Sequence, residues 1–337
     1  MLLNFKKIIF SLFEKTKAKI GLIIFLLFLA FFIYFLNIVF SSYEIGSKEV
    51  FFEIKSGQSF FEIVKNLDNQ KLIKSKNAFI IWGFLTGDFL RIKSATHKIS
   101  YPNSIFGIFK NLTSVENTYT KVTIPEGSNL YEIDEILSLN NVLKSGELIN
   151  FVKENQLNIE GKLMPDTYIF FYNSKPNEII KKMNDNFNQK ILPLLEKSNN
   201  PTSTLILASL IEKESPFLED KKIIAGILLK RLKVNMPLQV DASICYIKDL
   251  IKNKAVPCLP LNSLDFKINL PYNTYTNKGL PPTPISNPSK ESVLAVIEPK
   301  ESNYWYYLND PKTKKAIFSK TFEEHKKNIL IYLRSND

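Results

Sequence analysis

From Ile20 to Phe40 the chain reads "IGLIIFLLFLAFFIYFLNIVF", with no charged position. As a helix this run spans about 31 Å, which predicts one bilayer crossing. Beyond it the pattern changes to short alternations followed by helical spacing, and it does so twice. "FEIKSGQSFFEIVKNLDNQKLIKS", from Phe52, overlays "VTIPEGSNLYEIDEILSLNNVLKS", from Val122, at a constant offset. Ile54, Gly57, Phe61, Glu62, Ile63, Leu67 and Ser75 fall on Ile124, Gly127, Tyr131, Glu132, Ile133, Leu137 and Ser145. Each copy predicts a strand, a turn at glycine and a helix. Two copies are too few for a solenoid, so two small related α+β units are expected.

Further along, helices are expected over 176–198, through "LASLIEKESPF" at 207–217, and over 219–234, with Pro216 separating the last two. From Met236 onward Pro, Asn, Thr and Tyr accumulate, as in "NLPYNTYTNKGLPPTPISNPS", which predicts an ordered polar and aromatic loop. The helix ending in "IEKES" carries the first candidate chemistry. Counted from Leu207 at 100° per residue, Glu214 falls at about 340°, inside the apolar stripe, and Glu212 at about 140°, at a solvated rim. Burial and the negative end of the helix dipole would both raise the pKa of Glu214. A carboxyl group protonated near neutral pH is what a general acid requires.

Composition narrows the classes. The 337 residues are 45% hydrophobic, enough for folded cores. The net charge is +11, but Lys6, Lys7, Lys15, Lys17 and Lys19 against Glu14 supply part of it before the apolar run, and they predict that residues 1–19 stay in the cytoplasm. The run is longer than a signal-peptide core and is followed by "SSYEIGSKEVFF", so an uncleaved anchor at 20–40 is expected, with the rest of the chain outside the cytoplasmic membrane. No dense basic block with interleaved aromatics occurs, and nucleic acid is not an expected partner. With two histidines and two cysteines, the usual zinc spacings and His-dependent nucleophiles are absent, and neither metal nor cofactor is expected. His325 reads as a surface or packing residue. Asp166, in "EGKLMPDTY", reads as turn chemistry, with substrate contact as its other role. Whether Cys245 and Cys258 are paired is left open, because sequence does not give the approach of their Cβ atoms.

Taken in order, "EGKLMPDTY", "LASLIEKES", "KRLKVNMPLQVD" and "YNTYTNKGLPPTPISNPS", behind a single apolar segment, resemble the endolytic murein transglycosylase (YceG-like) family over roughly residues 45–335. In that family the catalytic glutamate is the second Glu of a Glu-Lys-Glu motif followed by Thr or Ser, here Glu214 before Ser215. The resemblance implies cleavage of the bond between N-acetylmuramic acid and N-acetylglucosamine by attack of the muramyl 6-hydroxyl, leaving 1,6-anhydro ends. It places Gln239 and Asp241 in the cleft, to bind sugar hydroxyls or orient the acid, and makes Asn273, Thr274 and Tyr275 candidates for contact with the sugar, with a purely structural role as the other reading of all five. The segment "IKSGQSFFEIVKNL" also resembles the LysM type of glycan-binding module, with a structural spacer that binds nothing as the other reading.

The expected architecture is therefore α+β: a transmembrane helix, a LysM-like module at 45–118 and a mixed catalytic domain at 119–337. Its expected partners are peptidoglycan strands, the membrane and, by resemblance, peptidoglycan synthases. The rival readings are a hydrolase in which Asp241 activates water and a non-catalytic wall-binding anchor.

Overall fold

In the computed structural model, which describes residues 2–333, the echo between Phe52 and Val122 is a repeat of structure. Met1 and residues 334–337 lie outside the described residues, as do the side chains of the basic segment before Ala18 and that of Ala18 itself. The chain divides into two compact units, Met1–Tyr119 and Thr120–Asp337.

The first unit begins with α1 (Leu2–Phe40), followed by β1 (Glu49–Glu53), α2 (Phe60–Asn69), α3 (Lys76–Thr86), β2 (Thr96–Ser100) and α4 (Ile105–Thr113). Within α1, Lys19–Phe40 is long and apolar enough to cross a membrane by length and composition. β1 and β2 pair antiparallel, with Phe51 opposite Lys98. The core gathers Phe52, Ile63, Leu67, Phe79, Ile99 and Phe109, together with Phe35 and Val39 from the end of α1.

The repeat is built by the same local devices in both copies. Gly57 and Gly127 have φ of +81° and +78°, a conformation that other residues adopt at a cost. Ser59 caps α2 and Asn129 caps α5 (Leu130–Leu139), each in a capping box closed by a glutamate three residues on, Glu62 or Glu132. The buried pairs Ile63/Ile133 and Leu67/Leu137 then present the same helix face to each core. In the second copy β3 (Tyr119–Thr123) leads into α5, α6 (Glu147–Glu154) and β4 (Thr167–Phe171), and β3 pairs with β4.

The second unit continues with α7 (Pro176–Lys190), α8 (Leu192–Leu195), α9 (Pro201–Glu212), α10 (Leu218–Lys233), α11 (Asp241–Lys252), α12 (Lys290–Ile297), β5 (Tyr306–Asn309), β6 (Ala316–Ser319) and α13 (Phe322–Tyr332). The fold is mixed α+β. Its centre is α9, which is buried on all sides from Thr204 to Ile211 and packs on α10 and α12. A helix that is apolar all round has no solvated face to keep, so it becomes a core helix. The expected helical region over 176–198 consists of two helices, α7 and α8, with Pro193 in the first turn of the shorter one.

Candidate functional site

α9 starts where Asn200 accepts the Ser203 N–H and Pro201 occupies the first turn. It is held to the proline-rich loop by polar contacts inside the core: the Ser209 hydroxyl accepts the Ile285 N–H at 3.0 Å, and the Ser286 hydroxyl donates to the Ser209 carbonyl at 3.0 Å. Asn287 extends the same stitching, receiving the Leu163 N–H at 2.7 Å and donating to the Ser128 carbonyl at 2.9 Å. The segments "EGKLMPDTY" and "PISNPS" are thus joined through the interior.

The helix ends at Glu212, two residues before the proposed acid. Glu214 lies in the turn that follows, its N–H donated to the Ile211 carbonyl and its own carbonyl accepting the Asn309 side-chain amide at 2.6 Å. Its side chain enters a cavity of about 800 Å³ that is lined in part by Arg231, Gln239, Asp241, Tyr275 and Tyr307. Burial, and then the Asp241 charge, push its pKa up to about 7, against the opposing effects of Tyr307 and Arg231. The Tyr307 hydroxyl beside it is buried and has no hydrogen-bond partner of normal geometry.

Glu212 departs from its expected rim position. Its carboxyl group is buried, accepts Lys221 Nζ at 3.0 Å, and receives both the backbone N–H and the hydroxyl of Ser289 at 2.8 and 2.6 Å. Burial alone would raise its pKa, but Lys221 and Ser289 outweigh that and the net shift is downward. The helical phase failed here because the rim it assigned to Glu212 is covered by α10 and the loop before α12.

The remaining sequence candidates separate into two groups. Gln239 and Asp241 line the cavity, Gln239 with a φ of +55° and its N–H donated to the Thr274 carbonyl, and Asp241 in the first turn of α11. Tyr275 also lines it and donates its hydroxyl to Asp241. Asn273 and Thr274 are buried behind this wall. The Asn273 amide donates to the Phe266 and Ile268 carbonyls, and the Thr274 hydroxyl accepts the Val240 N–H at 2.9 Å. They shape the turns that present Gln239, Asp241 and Tyr275.

Asp166 is likewise structural in its contacts, bound to Lys190 at 2.6 Å and Asn186 at 3.0 Å, and Lys190 leads in holding its pKa down to about 2. His325 stacks on Tyr306 at 5.4 Å, and burial lowers its pKa. Cys245 and Cys258 form a disulfide that ties the loop after α11 to the cavity rim. Among the described residues no group of three His, Cys, Asp or Glu side chains could hold a metal ion.

Three residues that act on Glu214, namely Arg231, Tyr307 and Asn309, were not singled out by the sequence. Arg231 is buried, and its guanidinium donates to the carbonyls of Trp305 and Leu238 at 2.7–3.0 Å, so its charge stays free to act on Glu214. In "KRLK" three cations in four positions hid it among solvated neighbours. Tyr307 and Asn309 come from "NYWYYLND", in β5, whose four residues all line the cavity. β6 follows β5 and is fixed to the start of α10 by the Ala316 N–H, which donates to Asp220 at 2.9 Å.

The profile of the YceG-like family matches residues 52–330, most of the chain. The chain belongs to this family. A protein of Bacillus subtilis named endolytic murein transglycosylase is 28% identical over 300 residues, covering 80% of this chain and 81% of that one. A pneumococcal protein of the same name is 31% identical over 181 residues, 52% of this chain; the match spans only 33% of that relative's length. Among solved structures, a YceG-like protein of Listeria monocytogenes aligns with a TM-score of 0.51 and 28% identity, over 83% of this chain and 99% of that one.

Proposed function

We propose that this YceG-like protein is a membrane-anchored endolytic lytic transglycosylase that cuts peptidoglycan strands between N-acetylmuramic acid and N-acetylglucosamine. The observation that carries the reading is Glu214, a carboxyl group with a pKa of about 7 on the wall of a cavity large enough for sugar rings. Family membership and the names of the relatives supply the substrate class.

In the proposed reaction Glu214 donates its proton to the bridging oxygen as the glycosidic bond breaks. The resulting carboxylate takes the proton of the muramyl 6-hydroxyl as that oxygen bonds to the anomeric carbon. The proton returns to Glu214, and the cut end becomes a 1,6-anhydro ring without water entering. Arg231 and the Tyr307 hydroxyl stabilise the carboxylate between the two steps, while the Asp241 charge favours its reprotonation. Gln239, Asp241 and Tyr275 face the same space and are proposed to contact the sugar.

The anchoring part of the reading is supported by the end of α1. Phe35 and Val39 are buried in the core of the first unit, so cleavage of this helix as a signal peptide would remove part of that core. The first unit, which carries the LysM-like segment, is proposed to hold glycan or to act as a spacer.

Mass spectrometry of glycan strands incubated with the protein tests the reaction type. New 1,6-anhydromuramyl ends are expected. Reducing ends would establish the hydrolase in which Asp241 activates water, and the absence of new ends, with glycan bound, would establish a non-catalytic anchor.

A further inference from the structure

The first unit exposes an apolar face that its own core does not use. Leu90 and Leu85 are 78% and 67% exposed, and Phe61, Ile81, Phe84 and Phe106 are also exposed. They come from α2, α3, α4 and the short turn Asp88–Leu90 that follows α3. Ile81, Phe84 and Leu85 are neighbours on α3 at spacings of three and four. Phe84 contacts the rings of Phe61 and Phe89 at 6.1 and 4.7 Å. Trp82, one turn from Leu85, meets Phe40 at 5.3 Å, and Phe40 in turn meets Phe106 at 5.4 Å. Phe40 is the last residue of the apolar segment Lys19–Phe40, so the patch is continuous with that segment.

The depth of the contact identifies what covers the face. α3 and α4 both pack on α1, and the unit's core takes in Phe35 as well as Val39. At 1.5 Å per residue, the unit therefore overlaps about 7 Å of the apolar run. A body wrapped around the outer end of a bilayer-length helix reaches into the headgroup region, where Trp and Phe side chains are favoured and exposed Leu and Ile gain from leaving water. A contiguous exposed apolar patch of this kind marks an interaction surface.

We infer that the first unit is seated in the outer leaflet of the bilayer through Leu85, Leu90, Ile81, Phe84 and Phe61, with the lipid surface as its partner. This inference rests on the reading of α1 as a spanning anchor. The seating makes the unit a fixed footing on the membrane, with the anchor, the unit and the headgroups in one contact.

The test uses the full chain in vesicles of phosphatidylethanolamine and phosphatidylglycerol. Because Cys245 and Cys258 are bonded to each other, a single added cysteine takes an environment-sensitive nitrobenzoxadiazole label specifically. Leu85→Cys and Leu90→Cys probe the face, Phe28→Cys probes the middle of the apolar run, and Asn69→Cys is an exposed polar reference. Lipids carrying a nitroxide near the headgroup should quench the labels at 85 and 90 at least about twofold more than the label at 69, as expected for side chains at the interface.

If 85 and 90 behave like 69 while 28 is quenched by nitroxide deep in the bilayer, the seating is wrong and the anchor stands. If 85 and 90 are shielded from both the lipid nitroxide and an aqueous quencher, a protein or a second copy covers the face and the lipid assignment is overturned. If 28 is not quenched by the deep nitroxide, the anchor reading fails and the seating falls with it.

Discussion

The pKa of Glu214 is set by a balance of neighbours, and each neighbour can be removed singly. Burial and Asp241 raise its pKa to about 7, and Tyr307 and Arg231 restrain the rise. Activity that requires the protonated form should fall as pH rises through that value. Asp241→Asn removes a like charge and should move this alkaline limb to lower pH. Tyr307→Phe removes a group that favours the carboxylate and should move it to higher pH. Rate–pH profiles of the two variants check both signs, and shifts in the same direction would contradict the assignment.

A second buried glutamate gives a stability prediction. Burial pushes Glu160 up to about 7, against hydrogen bonds that include the Leu130 N–H at 3.2 Å. Because its folded pKa lies above the unfolded value, its contribution is fully present below about pH 4.5 and is lost as pH rises through about 7. The loss is on the order of 3 kcal/mol. Glu160→Gln should flatten the decline in unfolding free energy between pH 5 and 8, measured by denaturant titration.

At the scale of elements, the turn after α9 explains both what the sequence disclosed and what it withheld. Periodicity selected Glu214 over Glu212, yet α9 stops at Glu212, so extending the helical phase overran its end by two residues. Glu214 reaches the cavity because the turn through Lys213 and the Asn309 amide aim it there. Long-range contacts of that kind leave no local pattern. The same holds for Lys221 and Ser289, which convert Glu212 from an apparent rim residue into half of a buried ion pair. Glu212→Gln would leave the Lys221 ammonium buried without its counter-charge, which costs about 3 to 5 kcal/mol. A lowered melting temperature, with activity lost only in proportion to unfolding, is the expected result. A folded variant of unchanged stability without activity would instead make Glu212 a participant in the chemistry.

The repeated units were far more legible, because their determinants are local. Gly57 and Gly127 set the turns, Glu62 and Glu132 close the capping boxes, and the buried Ile and Leu pairs fix the helix faces. What the repeats did not disclose was their strand partners, β2 and β4, which come from outside the matched segments.

For the whole molecule, the order of an apolar helix, a first α+β unit and a larger second unit was readable from hydrophobic patterning. The involvement of α1 in the first unit's core was not, since Phe35 and Val39 look like any other members of an apolar run. Deleting residues 1–40 should therefore lower the unfolding temperature of the first unit and leave that of the second unchanged. Differential scanning calorimetry of the full and shortened chains checks this, and an unaltered first unit would show that α1 is not part of its core.

The proposed activity rests on one proton-carrying group, and Glu214→Gln tests it most directly. The variant retains the shape of the side chain but neither gives nor takes the proton. Formation of 1,6-anhydromuramyl ends, measured by mass spectrometry beside thermal melts, should fall by roughly 10² to 10⁴ with folding and glycan binding intact. A folded Glu214→Gln variant that makes anhydro ends at the parent rate would contradict the account.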